Sequence, residues 1–118
     1  MSPDAFEACC LSLTAATLSV QWGEDRVFKV GGKMFAVAGP IGPATAGGYS
    51  FKASDMAYEL LVEQGLARPA PYLARAKWVQ LLSRDSLPDE DLRAYLGQAH
   101  ALVAARLTRA NRKALGLA

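Results

Sequence analysis

The sequence predicts an α+β fold in two layers, an antiparallel β-sheet with helices packed on one side, in the order α-β-β-β-β-α-β-α. Three observations carry this. Two β-type runs flank Gly31-Gly32, the signature of a hairpin with a primed turn. Leu92, Leu96, Ala99, Val103 and Leu107 recur with the period of a helix and form one apolar stripe. The remaining strand-like and helix-like segments follow one another without a repeat or a linker, so residues 1–118 read as a single domain.

Taken in order, Ser2 as N-cap, Pro3 at the first helical position and Asp4 in the first turn open a helix over residues 3–13. Leu18, Val20 and Trp22 then alternate with Thr17, Ser19 and Gln21, the period-two pattern of a half-buried strand, and residues 22–25 read as a turn. The hairpin runs from Arg26 to Ala38. If Val30 and Lys33 flank its turn, Phe28 lies opposite Phe35, Arg26 opposite Val37 and Lys29 opposite Met34, with both phenylalanines facing the core.

A proline and glycine loop fills 39–48, and 49–52 is another short strand. Ser54 caps a helix to about Gln64 that buries Met56, Leu60 and Leu61, and Gly65 ends it. Arg68-Pro69-Ala70-Pro71 reads as irregular, and 77–82 as a strand covered on both sides. Ser86 and Asp89 have the spacing of a capping box for a helix reaching about Leu107, with His100 at the edge of its stripe. Residues 108–115 add a short basic helix.

With 52% apolar residues and 20% charged, the chain buries a core and is not a disordered segment. Its formal charge of +2 is the sum of blocks that each carry one sign. Residues 26–54 and 64–84 each hold four bases and no acid, whereas 1–25, 55–63 and 85–91 hold acids alone. Placed on the elements, the acids fall mostly on helices and turns. Lys29, Lys33, Arg68, Arg75 and Lys77 fall on strands and loops, where cations unmatched by carboxylates suit phosphate contacts.

Other classes lack their parts. The longest uncharged run, 34–51, holds four glycines and two prolines and is no membrane span, and Met-Ser-Pro-Asp begins no secretory signal. Cys9 and Cys10 are adjacent and poorly placed for a disulfide, which points to a reducing cytoplasm. The loop at 39–48 lacks a phosphate-cradle motif, and Pro40 and Pro43 lack the N–H groups it needs. His100 is the single histidine, too few for a catalytic triad with a built base or for a zinc site, so neither an enzyme nor a bound cofactor or metal is expected.

The stretches Cys10-Leu11-Ser12-Leu13, Trp22-Gly23, FKVGGKMFA from Phe28 to Ala36, APYLARAKWV from Ala70 to Val79 and LPDEDLRAYL from Leu87 to Leu96 resemble the MmcQ/YjbR family over nearly the whole chain. The resemblance implies a CyaY-like or secretion-chaperone-like α+β fold, in agreement with the order read from the residues. It also implies a DNA-binding protein with a double-wing arrangement and supplies no catalytic residues. Transferred here, the wings are the hairpin with Lys29 and Lys33, and the segment from Arg68 to Lys77 with Arg75. One departure is Thr14-Ala15, where relatives carry Pro-Gly after the first helix. The alternative expectation is a protein-interaction or chaperone-like module, such as a homodimer, using an exposed apolar surface.

Overall fold

The chain folds, in order, as α1 (Pro3–Leu11), β1 (Ala16–Gln21), β2 (Asp25–Val30), β3 (Lys33–Ala38), β4 (Tyr49–Lys52), α2 (Asp55–Glu63), β5 (Ala67–Pro69), β6 (Trp78–Leu81), α3 (Asp89–Ala104) and α4 (Arg109–Ala114). This computed structural model describes residues 1–21, 25–39, 48–71 and 73–117. The six strands form one antiparallel sheet in the order β1-β2-β3-β4-β6-β5. The predicted turn at Trp22-Gly23-Glu24 and the loop at 40–47 lie outside the described residues, although the Gly39 N–H donates to the Gly48 carbonyl at 2.8 Å and closes that loop.

The glycine pair at the hairpin turn is required twice over. Gly31 and Gly32 have φ of 58° and 80°, which a side chain tolerates poorly, and a β-carbon on Gly31 would come within 2.5 Å of Leu107 Cδ1. Register departs from the simple expectation by one residue. Lys29 does face Met34, but Phe28 faces Ala36 and Arg26 faces Ala38, because the register shifts between Phe28 and Lys29. Phe35 is the extra residue of a bulge, so both it and Ala36 are buried against the helices.

Three further expectations are corrected. The Arg68-Pro69 stretch is not irregular: Ala67–Pro69 forms the edge strand β5, where a proline at the strand's end costs no interior ladder bond. Helix α2 is rotated from the expected facing, burying Ala57 and Leu61 while Met56 is 79% and Leu60 43% exposed. Short Ala57 lets the helix approach β5 and β6 closely. Lastly, Ser86 does not cap α3. Its Oγ accepts from the Ser83 N–H at 2.9 Å, Pro88 occupies the cap position, and Asp89, Glu90 and Asp91 in the first turn offset the helix dipole instead.

Helices α1, α2 and α3 cover one side of the sheet. Phe28, Phe51 and Leu81 from strands meet Phe6, Leu61 and Leu96 from helices, all fully buried. The Phe6 ring stacks on Tyr49 at 4.2 Å and meets Phe28 edge-on at 5.9 Å. His100 is buried with an edge-on contact to Phe35, and its Nε2 lies 2.7 Å from the Thr14 carbonyl. Since a carbonyl only accepts, the proton is on Nε2. Cys9 and Cys10 are free thiols, and burial raises the pKa of each. On the other side of the sheet a smaller cluster forms from Val27, Val37, Ala70 and Trp78, flanked by Met34 and Leu73, as the segment 70–77 folds back over the strands.

Candidate nucleic-acid interface

Antiparallel pairing sorts the strand ends into two sets. The β2–β3 turn marks one end of the sheet. Strand β4 arrives there at Lys52, which faces Trp78 at the start of β6, and the Ala53 N–H donates to the Lys77 carbonyl at 2.9 Å. The chain leaving α3 also arrives there, where Leu107 covers Gly31. Lys33, Lys52, Lys77 and Arg106 therefore share this hairpin end.

The opposite end holds the start of β2 at Asp25 and the start of β4 at Tyr49, whose hydroxyl donates to the Met1 carbonyl at 2.8 Å. There the Met1 amine donates to the Arg84 carbonyl at 2.8 Å and pairs with Asp89 at 3.2 Å and Asp85 at 3.6 Å.

The five predicted contact residues fall as follows. Lys33 is exposed beside the turn, and Lys29 is half-buried on the sheet face away from the helices, between Thr17 and Met34 on its neighbouring strands. Arg75 is exposed on a single 3-10 turn, Ala74–Ala76. Lys77 was expected inside the strand but ends that turn instead, at φ 61° and ψ 38°, with its Nζ 4.8 Å from the centre of the Tyr58 ring. Arg68 is drawn back onto the sheet. Its Nε and Nη2 both donate to Gln80 Oε1, at 2.8 and 2.6 Å.

Met34 of the hairpin and Leu73 both pack against the Val27, Val37, Ala70 and Trp78 cluster on the helix-free face, so the hairpin and the chain before β6 share that apolar contact. The structure does not bring Arg68 to Lys29, which lie four strand steps apart, about 19 Å at the usual strand spacing. Among the described residues none of the five is within ion-pair distance of a carboxylate.

Two cations at this end escaped the sequence reading. Lys52 ends β4, and its Nζ donates to the Ala76 carbonyl. Burial lowers its pKa, the nearby Arg106 and Lys77 charges push the same way, and Asp55 opposes them in part. No local signal brings Lys52 to Lys77: β4 and β6 are neighbours in the sheet but not consecutive in the chain, and only that order makes the end of one meet the start of the other. Arg106 becomes visible only once Leu107 is known to pack on the hairpin turn. No group of three or more metal-binding side chains occurs among the described residues, and no helix among them is long and apolar enough to cross a membrane.

Comparison with known proteins places this geometry. No curated protein matches the chain. The crystal structure of Deinococcus radiodurans protein DR2400, a DUF419 domain, is similar with a TM-score of 0.79 and 25% identity, covering 98% of this chain and 88% of that one. The YjbR family profile matches residues 11–102. That span contains every strand of the sheet and the GGK hairpin on which the resemblance rested, and the chain belongs to the YjbR family.

Proposed function

We propose that the protein binds nucleic acid through the hairpin end, with Lys29, Lys33, Arg75 and Lys77 contacting phosphates, and that it acts by binding without a reaction of its own. One observation carries the reading: Lys33 beside the hairpin turn and Lys77 before β6 stand at the same end of the sheet, none of the four cations is within ion-pair distance of a carboxylate among the described residues, and Asp85 and Asp89 sit at the opposite end. A polyanion approaching such a molecule is attracted at one end and repelled at the other, which fixes orientation as well as affinity. Arg68 positions the surface through Gln80. Among the described residues no exposed helix face combines arginine, asparagine and glutamine, and the reading is of phosphate contacts rather than base readout.

The test is a salt titration of duplex DNA binding by fluorescence anisotropy. The Lys29→Glu/Lys33→Glu variant binds at least tenfold more weakly at low salt, and its salt slope falls by about two, roughly one per lost phosphate contact. Undetectable wild-type binding at low salt, or affinity unchanged by the reversal, overturns the reading.

A second reading, self-association, is favoured by the free edge of the sheet. Strand β1 is six residues long, carries no charge or proline to discourage pairing, and exposes 56% of Val20. Sedimentation equilibrium would show a dimer that Val20→Lys dissociates, and a monomeric wild type removes this reading.

A further inference from the structure

We propose that Lys52, Lys77 and Arg106 form a phosphate-binding site at the hairpin end, where one phosphodiester of a bound nucleic acid seats. The identity of that phosphate rests on the nucleic-acid reading above; the site itself rests on geometry of its own. The three cations come from β4, from the turn before β6 and from the chain leaving α3, and sheet pairing and the Leu107 contact with Gly31 gather them. A purely structural cluster would interleave acids with them. Asp55 is the carboxylate close enough to Lys52 to oppose its neighbours, and it stands against two cations.

The contacts these side chains already make hold them without neutralising them. Lys52 donates to a neutral carbonyl, that of Ala76, and so ties itself to the turn that carries Lys77. Lys77 lies over the neutral Tyr58 ring. Its backbone is in the left-handed region, where glycine or asparagine sits more easily, yet the residue there is a lysine. Like charges, partial burial and backbone strain together destabilise the free protein, and the charge of a bound phosphate would offset the first. The depressed Lys52 pKa agrees with a site that awaits an anion.

The experiment titrates inorganic phosphate and, separately, duplex DNA into wild type, Lys52→Met and Arg106→Gln. It follows amide shifts, affinity and the thermal midpoint of the free protein. Phosphate is expected to shift the amides of Lys52, Lys77 and Arg106, and each substitution to weaken phosphate and DNA binding by about tenfold, the usual loss for one charged hydrogen bond. Arg106→Gln is also expected to hold or raise the thermal midpoint, because it removes repulsion; a lowered midpoint with unchanged affinity assigns Arg106 a structural role and overturns the site.

Phosphate binding that depends on these residues, without DNA binding, upholds the site and ends the nucleic-acid reading. DNA binding insensitive to both substitutions does the reverse, and binding of neither ligand overturns both. Should Lys52→Met fail to fold, Lys77→Gly carries the test: it removes the charge while easing the backbone, so affinity falls in a protein that remains folded.

Discussion

Ala15 and Lys77, the non-glycine residues with positive φ among those described, both lie at the hairpin end, at 59° and 61°, whereas at the opposite end the corresponding positions are taken by Gly39 and Gly48. Charge follows the same division. Arg26 at the start of β2 pairs with Glu7, and the Met1 amine pairs with Asp85 and Asp89, while Lys33, Lys52, Lys77 and Arg106 gather without such partners at the other end. One end of the sheet is arranged as stability alone would arrange it. The other bears backbone strain and like-charge repulsion, the pattern expected where a binding partner completes the contacts.

The sharpest test sets the two ends against each other. Reversing Lys29 and Lys33 costs at least about tenfold in DNA affinity, whereas Arg84→Glu at the opposite end changes it by less than about twofold in the same anisotropy assay. Equal losses would erase the distinction between the ends.

The next effect is on stability. Ala15→Gly, which relieves the left-handed residue before β1, raises the unfolding free energy by about 1 kcal/mol in urea titrations. A fall would show that the left-handed turn costs nothing there.

Smallest is the exception at the opposite end. The Asp25 carboxyl is buried, has no hydrogen bond among the described residues, and is pushed above the usual carboxylate range by desolvation. The folded state therefore holds its proton to higher pH than the unfolded state, and stability is lost as pH rises from about 4, the unfolded value, through the raised folded value. Asp25→Asn is more stable than wild type at neutral pH, and the gap closes as the pH falls below about 4. A constant gap across that range would place the cost in packing instead.

Much of the fold was legible because its signals are local. Ser2 and Ser54 cap α1 and α2 through side-chain contacts to Ala5 and Ala57, three residues on, and Gly31-Gly32 turns the hairpin within two residues. The Thr14-Ala15 turn also acquires a meaning, since Ala15 holds a left-handed position, at φ 59°, that glycine adopts more easily. The facing of α2 was not legible. Met56 and Leu60 are as apolar as Leu61, and only the approach of α2 to β5 and β6 selects the narrower Ala57 and Leu61 side.

The candidate surface divides in the same way. Lys29, Lys33, Arg75 and Lys77 can be placed on the hairpin and on the turn before β6 from block charge and strand placement, because neighbours in sequence within a hairpin or loop stay neighbours in space. Arg68 was assigned to solvent because nothing local announces that Gln80, 12 residues later, binds its guanidinium. Lys52 and Arg106 were missed for the converse reason: each looks like an ordinary strand or helix end until sheet order is known.

By itself, the sequence determined the kinds of element, the hairpin, the apolar stripe of α3 and the family. Each depends on periodicity, turn chemistry or motif order within short reach along the chain. Tertiary structure alone decided which ends of those elements meet. Register between strands, not composition, sets Lys52 against Trp78, and the packing of Leu107 on Gly31 carries Arg106 to the same place. Electrostatic neighbours act through space over a few ångströms regardless of chain separation, so a nearly neutral chain acquires a basic end only when folded.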